Sequence, residues 1–158
     1  MAKQRTMIEG FWERFEDCMY ETSKTKVDIA KELGCHRHLL INGFEGRTPN
    51  SKVVMQFCAE YGFSLGYLCG ISREKDGNAT SKDVVDGFWS RFDECMTEAD
   101  SKQAIAKRIG CNRKTVYNPK TEDGRIPSLL YIARFCTTYH YSPEYLVGTS
   151  KNKRMATA

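Results

Sequence analysis

Thr25-Lys26-Val27-Asp28-Ile29-Ala30-Lys31-Glu32-Leu33-Gly34-Cys35 reads as one short helix with both ends written into it. Thr25 and Asp28, three residues apart, form a weak capping pair at its start. Ile29, Ala30 and Leu33 supply an apolar face at helical spacing. Gly34 follows the last turn, where the left-handed conformation favours glycine. Ser101-Lys102-Gln103-Ala104-Ile105-Ala106-Lys107-Arg108-Ile109-Gly110-Cys111 says the same thing 76 residues later. After each glycine a further helix is expected almost at once. Asn112 is a good cap for it and His36 a poorer one. It should stop near Asn42-Gly43 in one place and at Asn118-Pro119 in the other, because proline disfavours helical geometry at the residue before it.

The repetition extends outward from this pair. Gly10-Phe11-Trp12-Glu13-Arg14-Phe15 returns as Gly87-Phe88-Trp89-Ser90-Arg91-Phe92. Phe57-Cys58, Tyr61, Ser64, Tyr67-Leu68 and Gly70 return as Phe135-Cys136, Tyr139, Ser142, Tyr145-Leu146 and Gly148. A period of 76 to 78 residues exceeds the roughly 20–50 residues of a solenoid unit. The chain is therefore two copies of one small domain.

Each copy predicts five helices and no strand. The first helix carries Ile8, Phe11, Trp12, Phe15, Cys18 and Met19 in one copy. Val84, Val85, Phe88, Trp89, Phe92, Cys95 and Met96 form its twin, with Ser81 as cap. The two tryptophans read as core, with a junction between domains or subunits as the other use. A fourth helix carries Val53 to Tyr61, and its twin Leu129 to Tyr139. A short fifth opens at Ser64 and at Ser142-Pro143, where proline suits the first helical position. The expected fold class is all-α, with domains at 1–72 and 81–150. Residues 73–80 are polar with a central glycine and read as a linker; 151–158 read as a flexible basic tail.

Composition bounds the function. Hydrophobic residues make up 41% and charged residues 28%, which suits a globular chain and not a disordered one. No apolar run approaches the roughly 20 residues of a membrane span, and the first residues lack a signal peptide's apolar core; the cytoplasm is expected. Seven cysteines include three equivalent pairs, Cys18/Cys95, Cys35/Cys111 and Cys58/Cys136, plus Cys69 opposite Val147. They read as core thiols, with no zinc-type spacing. Cys35-His36-Arg37-His38 has no histidine in its second copy, so no metal site is expected. Residues 1–78 hold 11 basic and 11 acidic side chains, and residues 79–158 hold 13 and 9. The second half is the more attractive to a polyanion.

Two helices joined by a tight turn at glycine, inside a five-helix domain, resemble the helix-turn-helix of the lambda-repressor-like, Cro/CI-type (XRE) family. Thr25 to Cys35 is similar to that family's "TQEELAEKLGV" segment. Glu45-Gly46-Arg47-Thr48-Pro49 lies where the family has its "NGKRNP" loop, and Ser64-Leu65-Gly66-Tyr67-Leu68 resembles its closing "SLDELL" turn. The resemblance implies two tandem lambda-repressor-like domains and sequence-specific binding of double-stranded DNA. The role implied is that of a transcriptional regulator, a repressor of phage or mobile-element type. By position it implies that Lys26 and Lys102 meet phosphate. It places His36, Arg37 and His38, and Asn112, Arg113 and Lys114, in the major groove, with Asn42, Tyr117 and Asn118 also facing DNA. Arginine suits a guanine edge and asparagine an adenine edge. The family usually has glutamine where Lys26 and Lys102 stand. Copy one also presents Leu39 and Ile41 on the face where copy two has Thr115 and Tyr117, so the second domain is expected to be the better DNA binder.

Most family members pair as homodimers, and one chain with two readers could act as a covalent pseudo-dimer. About ten linker residues reach at most about 33–36 Å, close to the roughly 34–36 Å between half-sites. The rival reading is a protein-binding adaptor or inhibitor that keeps the fold, with domain 1 as partner or dimerisation module. An enzyme is not expected. His36, His38 and His140 have no evident catalytic partner, and no glycine-rich phosphate loop points to a cofactor.

Overall fold

The structure, a computed structural model, describes residues 8–41, 50–112, 116 and 126–154. Those residues are helical, with two isolated β-bridges and no strand. In the first half, α1 spans Phe11–Glu21 and α2 Lys26–Leu33. A 3-10 turn comes next over Arg37–Leu40, then α3 over Ser51–Tyr61 and α4 over Leu65–Leu68. In the second half, a 3-10 segment over Lys82–Gly87 leads into α5, Phe88–Ala99. Next come α6 over Lys102–Ile109, α7 over Leu129–Tyr139 and α8 over Pro143–Val147.

Two expectations about elements are corrected. Ser81 caps the 3-10 segment, through the Asp83 amide at 3.2 Å, and not the first α-helix of its half. The helix expected after Gly34 is a 3-10 turn of four residues that gives way to extended backbone at Ile41. His36 makes no side-chain cap there, and Leu40 alone of that turn is buried.

The repeat in sequence is a repeat in packing. Phe15 meets Phe57 edge to face at 5.1 Å, and Phe92 meets Phe135 edge to face at 5.1 Å. Phe57 stacks on Phe63 at 5.4 Å, as Phe135 stacks on Tyr141 at 5.4 Å. Edge-to-face and offset contacts suit the ring quadrupoles and add about 0.5–1.5 kcal/mol per pair beyond area burial. Arg14 and Arg91 turn back from these apolar stripes to bind carbonyls at the C-terminal ends of α4 and α8. Arg14 Nε donates to Leu68 O at 3.2 Å, and Arg91 Nε to Leu146 O at 3.0 Å.

The segments expected as linker and tail are both docked, and in the same way. Phe63 bridges Asp76 and Tyr141 bridges Arg154, each antiparallel. The Ser64 amide donates to Lys75 O at 2.9 Å; the Ser142 amide donates to Lys153 O at 2.8 Å. Lys75 pairs with Asp17 at 2.6 Å and with Glu21; Lys153 pairs with Glu98 at 2.6 Å and with Glu94. Residues 73–80 are thus no free tether and 151–154 no loose tail. Each is a strap across its own half, and Gly77 lies so close to Phe63 O that an added Cβ would stand 2.8 Å from it.

The halves share one core. Helix α3 packs along the 3-10 segment of the second half, and α4 packs on α8. Ser51 Oγ donates to Pro127 O at 2.6 Å, and Lys52 lies 3.5 Å from Asp86. Glu144 of α8 accepts from the Gly66 amide at 2.8 Å and from Ser64 Oγ at 3.2 Å, and so covers the start of α4. The buried hydrophobic residues of both halves form a single cluster.

Candidate nucleic-acid interface

Helices α2 and α6 are built alike. Thr25 Oγ1 accepts from the Asp28 amide at 3.1 Å, and Ser101 Oγ from the Ala104 amide at 3.2 Å. Both helices end on left-handed glycine, Gly34 at φ 73° and Gly110 at φ 75°. An added Cβ at Gly34 would meet nothing within 4 Å, so the backbone conformation alone calls for glycine there. The Cys35 amide then returns to Ala30 O at 2.9 Å and the Cys111 amide to Ala106 O at 3.0 Å, closing the same turn twice. Leu40 and Val116, equivalent in the repeat, are both fully buried and anchor the chain just past each turn.

That anchoring leaves His36, Arg37 and His38 exposed on the surface. The two imidazoles stack at 5.4 Å with planes 9° apart. Leu39, expected on the outer face, is half-buried against the core, whereas Ile41 is 40% exposed. Asn112 is exposed at the corresponding place in the second half. Asn42, Arg113, Lys114, Tyr117 and Asn118, also expected to face DNA, lie outside the described residues, as does Thr115.

Lys26 and Lys102 open α2 and α6 as expected, but each already holds a carboxylate. Lys26 Nζ lies 2.8 Å from Glu16, and Lys102 Nζ lies 2.9 Å from Asp93, the equivalent residue. Asp93 is partly exposed, and its Oδ1 faces the Lys102 ammonium. Both lysines are partly exposed. Pairs of this kind contribute little net stability and exchange readily with solvent ions.

The halves differ in charge along these helices. Helix α2 carries Lys26 and Lys31 against Asp28 and Glu32; α6 carries Lys102, Lys107 and Arg108 with no acid. Glu32 is held by Lys24 and by the Tyr61 hydroxyl, which keep its carboxyl below the usual carboxylate range. In the second half Arg108 stands in its place and lies over the Tyr139 ring at 5.3 Å. Among the described residues the exposed large apolar side chains are Tyr20, Val27 and Ile41, in the first half.

Five of the seven thiols are buried; Cys35 and Cys111 are only half-buried. Burial pushes Cys18, Cys69 and Cys95 up to about 12, and raises Cys35 as well, so none of these four is a ready nucleophile at neutral pH. Among the described residues no group of His, Cys, Asp and Glu is placed to hold a metal ion, and no helix is long and apolar enough to cross a membrane. No protein-family model matches this chain, and no curated protein or solved structure shows significant similarity to it. The resemblance drawn from the sequence thus rests on the residues and their repetition.

Proposed function

We propose that this protein binds double-stranded DNA in a sequence-specific way, as a transcriptional regulator built on two tandem helix-turn-helix domains within one chain. The observation that carries this reading is the doubled arrangement of a capped helix, a left-handed glycine turn and a buried anchor past it, with His36, Arg37 and His38 exposed between them in the first half and Asn112 exposed in the second. An exposed turn rich in His, Arg and Asn suits base edges. Lys26 and Lys102 would trade their carboxylates for phosphate oxygens. The uniformly cationic α6 makes the second half the stronger in phosphate attraction. Because the halves share a core, the chain would present both readers as a fixed pseudo-dimer.

A titration of labelled duplex from a random pool at several salt concentrations tests this. Log affinity should fall linearly with log salt, with a slope of about −0.9 per phosphate neutralised. Absence of binding at low salt would remove the regulator reading and leave the adaptor. That second reading draws on Tyr20, Val27 and Ile41, exposed in the first half where two of the equivalents, Thr97 and Gln103, are polar. A surface of this kind suits a protein partner better than a phosphate backbone.

A further inference from the structure

The two straps face each other across a cleft of about 910 Å³ at the seam between the halves. Small-molecule sites commonly measure about 300–1,000 Å³ and favour seams between domains. The walls carry opposite charge. The first strap brings Glu74 and Asp76, and the second brings Lys151, Lys153 and Arg154, of which Lys153 is held back by Glu94 and Glu98. Asp76 and Arg154 are equivalent in the repeat, so the sign reverses where the fold repeats.

Two of the charged groups are already oriented. Arg154 donates from Nη1 to Tyr139 O at 2.8 Å and lies over the Tyr141 ring at 4.1 Å. Glu144, which also lines the cleft, is fixed through Oε2 by Ser64 and Gly66. Among the described residues no ion pair joins the two walls, and Glu74, Asp76 and Lys151 enter none at all. A bare anion drawn to Lys151 and Arg154 would face three carboxylates. A bare cation drawn to those carboxylates would face Lys151, Lys153 and Arg154. A molecule bearing both signs, separated along its length, satisfies both walls at once.

We propose that this cleft binds a small zwitterion of the size of a short peptide with free ends. Its carboxylate lies toward Lys151 and Arg154, and its ammonium toward Glu74, Asp76 and Glu144. The site is separate from the interface proposed above and stands whether or not the protein binds DNA.

Calorimetry and thermal melting of the full chain with glycine, diglycine, triglycine and tetraglycine test it. Each added residue lengthens an extended peptide by about 3.3–3.6 Å, so the series measures the span between the walls. One length should bind best and raise Tm by about 5–10 °C at a free concentration of one hundred times Kd. Blocking both ends, as in N-acetyl-triglycinamide, should weaken binding about tenfold or more, because each end loses a charge-assisted contact. Asp76→Lys and Lys151→Glu should do the same while leaving the unliganded melt near that of the natural chain. Failure of the whole series to bind overturns the proposal. So does equal binding of free and blocked peptides, which needs no variant to interpret.

Discussion

Arg14 and Arg91 sit within apolar stripes, where a guanidinium is costly unless its donors are used. Arg91 uses them on three carbonyls, those of Leu146 at 3.0 Å, Val147 at 2.9 Å and Val84 at 2.7 Å. The first two belong to the last turn of α8, where a cation also meets the negative end of the helix dipole. Arg91→Met keeps the stem and leaves those carbonyls unpaired. It should cost about 2 kcal/mol and lower Tm by about 4–8 °C. A melt within a degree of the parent would mean that water replaces the guanidinium without loss. The sequence showed this arginine, twice, in Phe-Trp-x-Arg-Phe, but gave no partner for it, because two of its three acceptors lie 55 and 56 residues away. Glycines 34 and 110 were legible because their requirement is local. Lys26 and Lys102 were placed correctly at helix starts. Their pairing with Glu16 and Asp93 depends on how α1 and α5 cross the next helix, which spacing alone does not fix.

At the scale of elements, the helices followed from periodicity and caps, and the straps did not. Residues 73–80 are polar and contain glycine, and residues 151–154 are polar and basic, so both read as open chain. Two long-range lysines dock them. Lys153 meets Glu94 and Glu98 on α5, and Lys75 meets Asp17 and Glu21 on α1. Hydrogen bonds from Lys153 and Tyr145 hold the Glu94 carboxyl below its ordinary range. A depressed carboxylate contributes stability that is complete above its unfolded pKa, about 4.3, and is lost as pH falls through the folded value. The melting temperature of the natural chain should therefore drop below about pH 4.3 faster than that of Lys153→Met. The two curves should converge at the acid end. Parallel curves over that range would remove the lysine pair as the source of the strap's hold. The third helix of the first half, expected to run to Asn42-Gly43, is a 3-10 turn that ends at Leu40. Residues 37–40 carry a single core residue, Leu40, and one anchored position holds a turn without extending it.

At the scale of the whole molecule, the repeat was legible but the joint was not. Two domains on a tether were expected. The structure instead has one core, in which α3 meets the Lys82–Gly87 segment and α4 meets α8. A tether tolerates variable separation of two DNA half-sites, and a fixed joint does not. Inserting five base pairs between half-sites turns one by about half a helical turn. Affinity should then fall to that of a single half-site, as read by gel shift on paired duplexes. Unchanged affinity would show that the joint opens on binding.

Fusion in one chain also changes what evolution can do at that joint. In a symmetric homodimer a residue on the axis faces its own copy, so any change there occurs on both sides together. Here position 66 is glycine and its counterpart 144 is glutamate, which grips the opposite helix start through the Gly66 amide and Ser64. Two glutamates would repel across such an axis, and two glycines would leave the helix start uncovered. A duplicated gene can keep one of each, so its two halves are free to diverge into a lock and its keyhole.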